Sequence, residues 1–162
     1  MSSRSRRIPD KITAALPERV LTATRLESGG WLALTRSELA RFDGDVLAWR
    51  RPWHEVERGE WDGETHTLTV RWVGLPDPDP FVTADESPRD LPLTFRERVD
   101  ASVVYRKSES AAGGGTLHAV VRRAPDGSLL TQVLATGRVL PGPALDAQID
   151  ALDASVRDAV GM

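Results

Sequence analysis

The run Thr65-His66-Thr67-Leu68-Thr69-Val70-Arg71-Trp72 constrains this chain more than any other stretch. His66, Leu68, Val70 and Trp72 fall on one side, Thr65, Thr67, Thr69 and Arg71 on the other, the alternation of a half-buried antiparallel strand. Asp62-Gly63 just before it is a strong hairpin signal, so Trp53 to Trp61 is expected as the preceding strand. Val56 and Trp61 are out of phase by one residue, and the reading places a compensating β-bulge at Gly59.

The same period-two logic extends to both sides. Arg19 to Ser28 reads as a strand, Gly29-Gly30 as a hairpin turn, and Trp31-Leu32-Ala33-Leu34-Thr35 as the returning strand. Leu39-Ala40-Arg41-Phe42 and Val46-Leu47-Ala48-Trp49 follow, separated by the turn Asp43-Gly44-Asp45. Alternate prolines at Pro76, Pro78 and Pro80 deny residues 74–90 a long regular element and leave at most a short edge strand at Phe81-Val82-Thr83. Leu91, Phe95 and Val99 recur at helical spacing, which predicts a helix near 92–101 with Asp90 as its cap, and Ser102 to Tyr105 turn back to strand. Thr116–Arg123 and Leu129–Thr136 form a second hairpin across Pro125-Asp126-Gly127-Ser128. Pro143 opens a terminal amphipathic helix, with Leu145, Ile149, Leu152, Val156 and Val160 in one stripe.

A chain of 162 residues suits one domain. The expected organisation is a polar N-terminal arm over 1–18 and a single α+β domain over 19–162. The absence of cysteine removes disulfides and thiolate chemistry. A net charge of −3 supplies no positive field for nucleic acid, and no apolar run is long enough for a signal peptide or a membrane span. The expectation is a cytoplasmic protein without cofactor, nucleic-acid partner or integral membrane segment.

The residues that carry chemistry form no complete motif. His54-Glu55 resembles the start of a zinc-protease helix, but the second histidine is replaced by Arg58. His54, His66 and Asp62 form a looser candidate metal set only if the two histidines share a face. His118 lacks a nucleophile motif, and Gly113-Gly114-Gly115 lacks the Lys-Ser/Thr of a phosphate loop. The arginines of the N-terminal arm offer a weak, salt-sensitive attraction at most. No catalytic or metal-ligating residue is therefore assigned.

Residues 19–73 resemble the bacterial pleckstrin-homology-like (PH-like) domains. The likeness lies in the meander Gly29-Gly30, Trp31-Leu32-Ala33-Leu34-Thr35, Leu39-Ala40-Arg41-Phe42, Pro52-Trp53-His54-Glu55-Val56 and Glu60-Trp61-Asp62-Gly63. Nearly the whole chain is also similar to a group of small proteins of GC-rich bacteria that carry no assigned activity. The resemblance implies a curved antiparallel sheet or partial barrel, of seven or eight strands, with a mid-chain helix and a C-terminal helix closing one end. Phosphoinositide-type binding in that class uses basic residues between the first two strands. Here that loop is Glu27-Ser28-Gly29-Gly30, which does not support it.

All five tryptophans lie between Trp31 and Trp72. Tryptophan and arginine dominate interface hot spots, so Trp49, Arg50, Arg51 and Trp53 are the candidate interaction surface, conditional on Trp49 and Trp53 both lying outside the core. The functional expectation is a non-enzymatic interaction or scaffold module that binds a protein partner or itself. The alternative is a small-molecule binder or hydrolase with its site in the concave face of the sheet.

Overall fold

The structure is a computed structural model, and it describes residues 8–85, 88 and 90–162. The start of the arm, residues 1–7, lies outside the described residues, as do three positions of the proline-rich segment. The chain divides into two compact units, Met1–Asp100 and Ala101–Met162.

The first unit opens with a short helix, α1 (Asp10–Ala14), and a four-stranded antiparallel meander: β1 (Val20–Arg25), β2 (Trp31–Thr35), β3 (Glu38–Asp43) and β4 (Val46–Pro52). Gly30 is fixed by close approach, because a Cβ there would strike the Phe42 carbonyl. After a 3₁₀ turn at Trp53–Glu55 come β5 (Val56–Asp62), β6 (Thr67–Trp72) and β7 (Asp79–Val82), a three-stranded antiparallel sheet. Helix α2 (Asp90–Ala101) follows.

Alternation along the strands determines which residues meet. Leu32, Leu34 and Leu39 of the first sheet share a core with Val56, Leu68, Val70, Trp72 and Phe81 of the second, and α2 adds Leu91 and Phe95. The other face of the first sheet presents Ala33, Ala40 and Phe42, and Ile12 and Leu16 cover it. The expected polar arm is thus apolar where it matters, with Ile12 fully buried. An isolated bridge, Leu26 to Thr83, joins the end of β1 to the end of β7. Glu27 N–H donating to the Val82 carbonyl (2.9 Å) and Ala84 N–H to that of Arg25 (2.8 Å) reinforce it.

The second unit is a three-stranded antiparallel sheet, order β10-β9-β8, made of β8 (Val103–Ser110), β9 (Thr116–Arg123) and β10 (Leu129–Thr136), followed by α3 (Pro143–Ala159). The predicted stripe of α3 buries Leu145, Leu152 and Val156 against Leu117, Ala119 and Val121, with Ile149 and Val160 partly covered. Thr131 of β10 receives a hydrogen bond from Arg157 (2.9 Å), which also pairs with Asp153 at 2.9 Å.

The α+β class and antiparallel pairing agree with the sequence, and four details correct it. One curved sheet of seven or eight strands is replaced by three separate sheets with ten strands among the described residues, none of them closed. Pro52 and the 3₁₀ turn break the chain between β4 and β5, so the strand expected from Trp53 begins at Val56. The Asp62 hairpin has a four-residue loop, 63–66, because Asp62 Oδ1 accepts the N–H groups of Glu64 (2.9 Å) and Thr65 (3.3 Å). That pulls His66, at φ 53°, out of the strand. Finally, the β-bulge lies between Val56 and Arg58. Gly59 has another role: a Cβ there would lie against the Phe95 ring.

Two outcomes follow. Gly59→Ala should lower the urea midpoint with an unchanged slope, at a cost of about 1–3 kcal/mol, the usual penalty of overpacking. Adding Phe95→Leu should recover part of that loss, a coupling a double-mutant cycle would read. On α3, the Thr131 hydroxyl, then Arg157, hold the Asp153 carboxyl below the usual carboxylate range, against a smaller opposing effect of burial. A depressed folded pKa gives stability that is present above the unfolded value and lost as pH falls through the folded one. Asp153→Asn should therefore destabilise at neutral pH, by no more than about 1 kcal/mol for this partly exposed group. The difference should vanish in acid below both pKa values.

Candidate functional site

Period-two alternation carries Leu39, Arg41, Trp49 and Arg51 onto the inward face of the first sheet, since Leu39 pairs with Arg51 and Arg41 with Trp49. Inward positions on the second sheet hold Trp72 and Phe81. These side chains form one aromatic–arginine cluster. Trp49 meets Trp72 edge-on at 5.5 Å between centroids and Phe81 at 6.2 Å. The Arg51 guanidinium lies over both indoles, 4.4 Å from the Trp72 centroid and 5.3 Å from that of Trp49. Arg41 lies over Phe81 at 5.6 Å and pairs with Asp43 at 3.6 Å. The Trp72 indole N–H, buried with its ring, donates to Asp79 Oδ2 at 2.6 Å, which satisfies the polar end of the ring.

A cation over an indole face is attracted by the ring quadrupole, by up to about 2 kcal/mol when desolvated. Arg51 has two such faces and no carboxylate partner among the described residues, so the rings orient it. Two shallow, open depressions of about 420 and 290 Å³ adjoin the cluster and share Arg41, Pro80 and Phe81. Exposed Ala48, the extra residue where the β3–β4 register shifts, lines the smaller one.

The four residues singled out from sequence do not form one surface. Trp53 is 3 % exposed, donates its indole N–H to the Thr35 carbonyl (3.0 Å) and meets Phe95 edge-on at 5.5 Å. The condition that both rings lie outside the core is therefore not met: Trp53 is a core residue. Arg50 points to the opposite side of β4 from Arg51, where it pairs with Glu38 at 3.6 Å. Trp49 and Arg51, both half-buried, come together. Arg41, Asp79 and Phe81 were missed. The available signal was an arginine in phase with Leu39, at a position that alternation assigns to the core.

The histidines are kept apart. His54 sits in the 3₁₀ turn at one end of the β5–β6 hairpin and His66 in the loop at the other, so the pair with Asp62 makes no metal set. The described residues contain no group of three or more acidic, histidine or cysteine side chains placed to hold a metal ion. In the second unit His118 lies between two hydroxyls, Ser108 Oγ at 2.8 Å from Nδ1 and Thr136 Oγ1 at 2.9 Å from Nε2. Both ring nitrogens are engaged by hydroxyls, the reverse of a serine–histidine–carboxylate relay, where one nitrogen faces an orienting acid.

No protein-family model, curated protein or solved structure matches this chain. None of the helices in the described residues is long and apolar enough to cross a membrane.

The stacking makes Arg51→Lys a sharp probe. Lysine keeps the charge but loses the planar stack, so a drop in stability of about 0.5–2 kcal/mol is expected, with a smaller drop in the background of Trp49→Ala. Equal losses in both backgrounds would show that the rings do not hold the guanidinium.

Proposed function

We propose that this chain is a non-enzymatic protein-interaction module whose first unit is a PH-like scaffold, presenting Trp49 and Arg51 to a protein partner. The observation that carries the reading is the half-buried Arg51 held between Trp49 and Trp72 at the edge of the four-stranded sheet. A rigid aromatic–arginine pair has low conformational entropy left to lose, and such residues dominate binding energy at protein interfaces. The order of the first unit, four strands, then three, then a helix carrying Leu91 and Phe95 into the shared core, supports the PH-like reading. The β1–β2 turn brings Glu27 and Ser28 to the rim of the larger depression, which favours a protein over a phosphate headgroup. For the alternative, a small-molecule binder or hydrolase, His118 is the best candidate base, and its ring is engaged by two hydroxyls.

The test is capture from extracts of the native cell with quantitative mass spectrometry, comparing the wild type with Ala48→Arg and Arg51→Gln. Ala48 is exposed, so the added arginine obstructs the mouth without entering the core. A partner retained by the wild type should be lost roughly thirtyfold by either variant, the equivalent of about 2 kcal/mol at a hot spot. Equal recovery by all three would sink the reading.

A further inference from the structure

The three sheets end in six edge strands, and five of them carry devices that discourage further pairing. β1 has Arg25 and a register shift, and β4 has Arg50, Arg51, Pro52 and another. β5 is charged at Glu57, Arg58, Glu60 and Asp62 and is bulged. β7 is only four residues long, includes Asp79 and Pro80, and is bridged at its end to Leu26. β8 has Arg106, Lys107, Glu109 and a shift near Val103.

β10 has none of these. Its sequence, Leu-Leu-Thr-Gln-Val-Leu-Ala-Thr, contains no charge, proline or glycine, and all eight residues pair with β9 in unbroken register. No residue of β10 is fully buried, although five of the eight are aliphatic: Leu129 and Val133 pack against the α3 core, and Leu130 is 38 % exposed. Among the described residues no backbone hydrogen bond reaches β10 from the side away from β9. The Thr131 contact with Arg157 anchors the strand from its face and not along its outer edge.

We propose that β10 is the self-association edge of this protein, pairing antiparallel with β10 of a second copy about a two-fold axis to give a continuous six-stranded sheet. This deepens the reading as an interaction module by naming a partner, and it rests on a different surface from the Trp49–Arg51 cluster. A second copy fits because an uncharged strand meets itself without repulsion, whereas a homotypic pair of β8 strands would bring clustered charges into the same ribbon. Facing residues of an antiparallel pair share a sheet face, which limits the registers. With Gln132 on the axis, Leu130 faces Leu134 and Leu129 faces Ala135, matching aliphatic to aliphatic. Centring on Val133 would set Leu134 against Gln132 and Leu130 against Thr136, a poorer match. The interface is isologous and closes at two chains.

The chain has no cysteine, so single-cysteine variants report the register without background. On the axis, Gln132→Cys brings its two Cα atoms to about 4.5–5.5 Å, within disulfide range. The two copies of Leu130→Cys are offset by four residues, roughly 13 Å along the strand, too far to bridge. Under mild oxidation Gln132→Cys should cross-link to a dimer, and Leu130→Cys and Thr136→Cys should not. By sedimentation the wild type should have the mass of two chains, and Leu130→Lys, which places a charge at a position 38 % exposed on that strand, should be monomeric with an unchanged circular dichroism spectrum. A monomeric wild type at high micromolar concentration, equal cross-linking at all three positions, or a Leu130→Lys dimer would overturn the proposal. If a partner is still captured through Trp49 and Arg51 in that case, the interaction-module reading stands while the β10 dimer falls. If β10 pairs but nothing is captured, the reverse holds.

Discussion

The first unit depends on Trp72. Its ring is buried on β6, its N–H is spent on Asp79, and its two neighbours from the other sheet are Trp49 edge-on and Arg51 face-on. A large aromatic ring can bridge two sheets where they would otherwise part, because its area replaces several aliphatic contacts. An arginine can then occupy an inward position without an acid, since the ring faces supply the negative potential a carboxylate would. Remove that ring and Arg51 loses the nearer of its two indole faces, whereas Arg41 keeps Phe81 and Asp43.

Much of this architecture can be read from spacing alone. The alternation Leu68, Val70, Trp72 is realised in the buried residues of β6, and the stripe from Leu145 to Val156 covers β9. The Pro125–Ser128 turn connects two strands with the bounds expected. What sequence could not show was where strands cease to be one sheet. The corner at Pro52 is local, but the separation into three sheets depends on which faces find partners across long stretches of chain. Nor did Gly59 reveal its purpose: a glycine in a strand signals either a bulge or close approach, and only the position of Phe95 separates them.

The candidate site was half legible for a similar reason. Neighbours in sequence on a strand point to opposite faces, so Arg50 and Arg51 could never share a surface, and Trp49 with Arg51 was the pair to follow. Trp53 escaped because the chain changes conformation at Pro52, which breaks the alternation that would have placed it. Asp79 and Phe81 lie across the inter-sheet space, and no local pattern links them to Arg41.

Gly59 and Phe95 have a consequence beyond stability. They are separated by much of the first unit in sequence, yet the ring occupies the volume in which any other residue at 59 would place its Cβ. In related chains the two positions should vary as a pair: a side chain at the first demands a smaller residue at the second. A covarying column pair of this kind would trace the path by which α2 was fitted to its sheet.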